Sequence, residues 1–150
     1  RVAEEMVLNV DLPATFIAWS GAKRPDAYEG RSLSTIVDGD GSDKPWRTHF
    51  FCEHLDLPPT LTWEGIRDSR YVYARYFDQQ PPFEFLHDLE QDRDELKNFA
   101  NDPAHADALK KMRELCNAEM NTRGGALPPL AQRGAQKGEG APKKKKKANK

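Results

Sequence analysis

Residues 63–100 read WEGIRDSRYVYARYFDQQPPFEFLHDLEQDRDELKNFA. Trp63 to Asp68 and Tyr71 to Phe77 read as two strands that pair around the Asp68-Ser69-Arg70 turn. In the second strand Tyr71, Tyr73 and Arg75 share one face, and Val72, Ala74 and Tyr76 share the other. Phe83 to Leu86 supplies another short strand after Pro81-Pro82. The acidic turn that follows is expected to open a helix, with Asp92 capping the stretch DELKNFA.

Upstream, WRTHFFCEH (46–54) reads as a strand with Trp46, Thr48, Phe50 and Cys52 on one face. Pro58 and Pro59 interrupt its connection to Trp63, and DGDGSD (38–43) is a turn-rich break before it. Asp11 is a candidate N-cap for a helix through LPATFIAWS, with Gly21 ending it and Leu12, Phe16, Ile17 and Trp19 forming its apolar face. A short helical turn is expected through Leu33, Ile36 and Val37. Downstream, Asp102-Pro103 starts a clearer helix, with Leu109, Met112, Leu115, Cys116 and Met120 at helical spacing. These elements define an α+β class, a small four-stranded antiparallel sheet with a packed C-terminal helix. One helix on a small sheet is a thin core for 150 residues, so exposed apolar surface is expected to dock on a larger partner domain.

Charge is distributed unevenly. Residues 131–150 hold eight Lys or Arg against one Glu, whereas residues 1–130 hold fifteen basic and twenty-three acidic groups. From Arg123 onward the chain is Gly, Pro, Ala, Gln and Lys, a composition that cannot bury enough apolar area to order itself. The run Lys143 to Lys147 invites a nucleic-acid reading, since clustered cations bind phosphates by releasing counterions. No aromatic residue is interleaved for base stacking, and the body is acidic, so specific nucleic-acid binding is not expected. No apolar run approaches the roughly 18 residues of a membrane span. The chain begins at Arg1 without a Met and without a signal-like organisation, and reads as cut from something longer.

The candidate chemistry is sparse. There is no glycine-rich phosphate loop, no G-x-S-x-G and no H-E-x-x-H. Cys52 and Cys116 lack metal-ligand spacing and read as two small buried thiols. His49 and His54, five positions apart on one strand, face opposite sides and cannot share a metal. His87 and His105 lie among acidic residues and are expected to be solvated. Asp88, Glu90, Asp92 and Asp94 lack the turn-enabling glycine of a calcium loop and read as helix-capping acids. Glu53-His54 closes a strand and opens a Pro-rich loop, where binding groups collect, although on these grounds a plain surface histidine is the favoured account of His54.

The order of these motifs resembles the C-terminal part of the type I sulfatases, in the alkaline-phosphatase-like superfamily. Ile66, Arg67, Tyr71 and Tyr73 match that family's "IR-x-x-x-Y-x-Y" strand. Phe85, Leu86, Asp88, Leu89, Asp92, Glu95, Asn98 and Phe99 match its "F-L/Y-D-L-x-x-D-x-x-E-x-x-N-L" signature, with Arg93 replacing the usual Pro. Asn9 to Thr15 is similar to its "V-D-[LI]-x-P-T" helix start, with Pro13 and Ala14 in swapped order. Gly30-Arg31-Ser32-Leu33 resembles its "G-R/K-S-L" turn, and Pro45-Trp46-Arg47 through Glu53-His54 its "W-R-x-x-x-x-x-E" strand.

The resemblance implies that residues 1–44 are the tail end of a larger α/β core, that 45–122 are the antiparallel-sheet subdomain with its helix, and that 123–150 are a disordered Lys-rich tail. It implies a parent that hydrolyses sulfuric esters of a small molecule or glycan, using a formylglycine made from a C/S-x-P-x-R motif and a bound calcium ion. Neither cysteine here lies in that motif, and the calcium-binding Asp-Asn-Gly and the catalytic Lys have no counterpart. Calcium and formylglycine are therefore expected in an upstream core domain, and this chain alone is not expected to turn over sulfate esters. Glu53, His54 and Trp63 are the candidates for substrate recognition at the cleft rim. The alternative is a non-catalytic sulfatase-like module that binds or scaffolds. Export to periplasm or cell exterior is an expectation from resemblance.

Overall fold

The computed structural model describes residues 2–38, 45–54, 62–76 and 83–123, and the expected hairpin around Asp68-Ser69-Arg70 is present. Four strands, β1 (His49–His54), β2 (Trp63–Asp68), β3 (Tyr71–Tyr76) and β4 (Phe83–Asp88), form one antiparallel sheet in the order β1-β2-β3-β4. The β2–β3 turn is stabilised by the Arg70 N–H, which donates to Asp68 Oδ1 at 2.8 Å. Strands β3 and β4 pair in a register that sets Tyr73 opposite Leu86 and Arg75 opposite Glu84. The chain divides into two compact units, Arg1–Phe50 with Arg67–Arg70, and Phe51–Ile66 with Tyr71–Lys150.

In the second unit, helix α3 (Ala106–Thr122) follows a 3₁₀ turn at Pro103–His105. Asp102 caps that turn, its Oδ1 accepting the Ala104 N–H at 3.0 Å. Leu109, Met112 and Cys116 point inward at helical spacing and meet Ile66, Tyr73, Leu86 and Phe99 in one core, with Leu115 partly buried at its edge. Each large side chain buried there contributes on the order of 1.5–3 kcal/mol. Polar contacts then fix the helix on the sheet. Tyr73 Oη donates to Glu84 Oε1 at 2.6 Å, and Arg113 from α3 pairs with the same carboxylate, its Nε at 3.0 Å. Arg75 Nε donates to Glu64 Oε1 at 2.5 Å, tying β3 to β2.

The stretch after β4 is not the expected helix. Residues 91–101 form turns and irregular chain, with Glu95 at a φ of 55°. The reason is competition for backbone groups. Asn98 Oδ1 accepts the Leu86 N–H at 3.0 Å, Asn98 Nδ2 donates to the Glu84 carbonyl at 2.9 Å, and the Phe99 N–H donates to the Leu86 carbonyl at 2.7 Å. The segment thus covers the outer edge of β4, an outlet that a helix would leave unused. Asp92 Oδ2 accepts the Lys97 N–H at 2.6 Å, and the Asp88 carbonyl accepts the Gln91 and Asp92 N–H groups. These acids organise turns rather than cap a helix.

The first unit holds helix α1 (Asp11–Trp19) and the one-turn α2 (Ser34–Val37). Gly21, at a φ of 70°, ends α1 in the left-handed conformation expected of it. Asp11 is not the N-cap. It is the first helical residue, fully buried, and its carboxylate gathers four donors from three places in the sequence: the Leu8 N–H at 2.7 Å, the Arg31 N–H at 2.9 Å, and Arg47 Nη1 and Nη2 at 2.5 and 2.7 Å. Thr15 Oγ1 donates to the Asp11 carbonyl at 2.7 Å and accepts the Leu33 N–H at 2.9 Å. The inward face of α1 is therefore Asp11, Ala14 and Thr15, while Leu12, Phe16 and Trp19 of the expected apolar face are 50%, 60% and 64% exposed. Strand β1 is also shorter than 46–54, because Trp46 and Arg47 turn back upstream, Trp46 Nε1 donating to the Met6 carbonyl at 2.7 Å. The break at 39–43, Pro58, Pro59, Phe77, Pro81-Pro82 and the tail from residue 124 lie outside the described residues.

Candidate functional site

The Glu53-His54 strand end and Trp63 come together because β1 ends where β2 begins. The two strands are neighbours in the sheet, and the connection at 55–61 lies outside the described residues. His54 and Trp63 stack, ring centroids 6.3 Å apart and planes 18° from parallel, both half-buried. Glu53 is exposed and, by strand alternation, projects from the opposite face. The structure thus unites two of the three candidates and separates the third. A stacked imidazole and indole offer a flat apolar surface edged by ring nitrogens, suited to contacting a ligand. His49 pairs with its neighbour Thr48, its Nδ1 3.2 Å from Thr48 Oγ1.

His105 is the residue the sequence misplaces. It is 7% exposed, not solvated, and packs on Phe99 with centroids 4.4 Å apart. Its Nε2 lies 3.4 Å from Asp88 Oδ2 and 3.3 Å from Gln91 Nε2; its Nδ1 is 3.3 Å from Asp102 Oδ2, outside hydrogen-bonding geometry. The signal was the Asp102-Pro103 helix start, which turns the third residue of the first turn inward beneath the end of β4. Asp88 is fully buried and spends its oxygens on the Glu90 N–H, at 3.1 Å, and on Gln91 Nε2, at 3.0 Å. The cluster holds a turn together.

Charge at the remaining polar residues is likewise committed. Burial opposes ionisation of Asp11, but the Arg47 hydrogen bonds and the Arg31 and Leu8 N–H groups outweigh it and hold the carboxyl below its ordinary range. Burial also opposes ionisation of Glu84, and bonds from Arg113 and Tyr73 again lower its pKa. Burial pushes the Cys116 thiol up to about 12, so at neutral pH it is an inert thiol. Cys52 is half-buried, and neither cysteine is in a disulfide. Among the described residues, no three His, Cys, Asp or Glu side chains converge as a metal site. No helix of the described residues is long and apolar enough to cross a membrane.

An antiparallel sheet backed by a C-terminal helix, together with an aspartate-led helix and a Trp-Arg segment, is the arrangement the resemblance to the C-terminal region of a sulfatase implies. Residues 1–122 match the family described as N-sulphoglucosamine sulphohydrolase, C-terminal, and the chain belongs to that family. It is 31% identical over 120 residues to the multifunctional alkaline phosphatase superfamily protein PehA of Trinickia caryophylli, covering 71% of this chain and 23% of that protein. It is 22% identical over 112 residues to an N-acetylglucosamine-6-O-sulfatase of Bacteroides thetaiotaomicron, covering 72% of this chain and 20% of that one. Its fold resembles that of a protein solved in complex with its substrate D-glucosamine-2-N,6-O-disulfate, with a TM-score of 0.65 and 20% identity over 75% of this chain and 24% of the other. The chain spans less than a quarter of the length of the curated relatives it matches.

Proposed function

We propose that this chain is the structural and cleft-rim portion of a sulfuric ester hydrolase, without turnover of its own. The observation that carries the reading is the family match across residues 1–122 in a chain that spans less than a quarter of its relatives. The nucleophile motif and the calcium-binding Asp-Asn-Gly belong to the remainder of such an enzyme; none of the residues here would hold the metal or form the formylglycine. The exposed Leu12, Phe16 and Trp19 face of α1 would pack on that upstream core, which supplies the burial that the first unit lacks. The His54–Trp63 stack would contact a sulfated small molecule or glycan at the rim, with Glu53 on the opposite face of β1. The relative bound to a disulfated glucosamine supports that substrate class for the parent.

In an enzyme containing this segment, His54→Ala should raise KM for the natural substrate by about tenfold while leaving kcat and melting temperature near those of the parent. An unchanged KM would sink the rim assignment. The runner-up, a sulfatase-like binding or scaffold module, would be favoured if the gene upstream of Arg1 encoded no C/S-x-P-x-R motif.

A further inference from the structure

His105 is a titratable group held inside the second unit, 7% exposed, between acids from two elements. Asp88 Oδ2, at the end of β4, lies 3.4 Å from its Nε2, and Asp102 Oδ2, before the 3₁₀ turn, lies 3.3 Å from its Nδ1. Phe99 packs on the ring, Lys97 Nζ sits 4.7 Å from the Phe99 centroid, and Tyr71 stands opposite Asp88 on β3. The titratable groups facing His105 are therefore Asp88 and Asp102, with Lys97 and Tyr71 one contact removed. Which nitrogen carries the proton follows from Gln91. Gln91 Nε2 donates to Asp88 Oδ2 at 3.0 Å, as an amide nitrogen must beside a carboxylate that only accepts. The same Nε2 is 3.3 Å from His105 Nε2, so that ring nitrogen is the acceptor and the proton of the neutral imidazole sits on Nδ1. Nδ1 is buried and makes no hydrogen bond.

A second proton upsets this arrangement. It sits on Nε2 and points a donor at the Gln91 amide, which is a donor too. The acceptor within reach is Asp88 Oδ2, the oxygen that Gln91 already occupies. Asp102 is held below the usual carboxylate range, chiefly by the Ala104 N–H, so a negative charge faces Nδ1 in either state. We propose that protonation of His105 hands Asp88 Oδ2 from Gln91 to the imidazolium, which makes the end of β4 a pH-sensitive switch. The Gln91 side chain then leaves its place, and the turn that it braces loosens. That turn, whose Gln91 and Asp92 N–H groups donate to the Asp88 carbonyl, is the first anchor of the segment that covers the outer edge of β4. Asp88 Oδ2 keeps a donor in both states, so the exchange acts on the turn and leaves the core in place.

The test is NMR of the full chain stepped between about pH 8 and 5, the window in which an imidazole changes charge. The Gln91 side-chain NH2 signals should shift on the same curve as the His105 ring. Hydrogen-exchange protection of the Gln91 and Asp92 amides, corrected for the intrinsic rate, should fall about two- to tenfold at the acid end. His105→Gln should abolish both responses. His87 lies on the opposite face of β4 and pairs with the Lys97 carbonyl, so His87→Gln should leave both intact. If His105→Gln does not fold, the wild-type curves and the His87→Gln chain decide. Gln91 signals that stay put while His105 titrates, or a His105 ring that keeps one charge across the window, would overturn the proposal. So would a response that survives in His105→Gln or is lost in His87→Gln.

Discussion

Asp11 and Arg47, 36 positions apart, form a two-point ion pair at 2.5 and 2.7 Å with the carboxylate fully buried. That contact joins the two upstream motifs, Val10-Asp11-Leu12 and Trp46-Arg47, and explains why an acid stands at a helix start that it does not cap. Removing one partner strands a buried charge. Asp11→Asn should cost about 3–5 kcal/mol, read from urea unfolding of the chain. A loss below about 1 kcal/mol would mean that the pair behaves like a surface bridge.

The pH dependence follows from the same group. Asp11 is held below its ordinary value of 3.8, so its contribution is present above that value and is lost as pH falls through the lowered folded pKa. Glu84, lowered from 4.5, acts in the same direction. Melting temperature should be level near neutrality and drop below about pH 4, and the Asp11→Asn chain should show a shallower acid limb. Identical acid limbs in the two proteins would contradict the assignment.

Gly30 explains the turn that bears it. A Cβ there would sit 2.1 Å from the Val10 carbonyl oxygen, a backbone atom that cannot swing aside. Gly30→Ala should cost roughly 1–3 kcal/mol by thermal or urea unfolding. A neutral substitution would show that the turn can open without loss.

Asn98 substitutes for a strand on the open edge of β4, bonding the Leu86 N–H and the Glu84 carbonyl. Asn98→Ala should cost about 2 kcal/mol and speed hydrogen exchange at the Leu86 amide. Unaltered exchange there would assign edge protection to something else.

The sheet and α3 were legible because their residues repeat at periods of two and of three to four, as Tyr71, Tyr73 and Arg75 or Leu109, Met112 and Cys116 do. The same signals misread α1. Leu12, Phe16 and Trp19 form a helical apolar stripe, but the inward face went to Asp11 and Thr15, whose partners at positions 31, 33 and 47 no local pattern reveals. Residues 94–100 have helical composition, yet Asn98 and Phe99 bond to β4 instead. His54 and Trp63 were legible as strand-end residues; their stacking depended on which strands are neighbours. His105 was missed because acidic neighbours in sequence suggested solvent, whereas Asp88 and Asp102 enclose it.

The central claim is that this region supports a sulfatase without performing its chemistry. The direct measurement is hydrolysis of an aryl sulfate by the purified chain in the presence of calcium. The account predicts a rate equal to that of buffer alone, and turnover above it that co-elutes with the chain would contradict it.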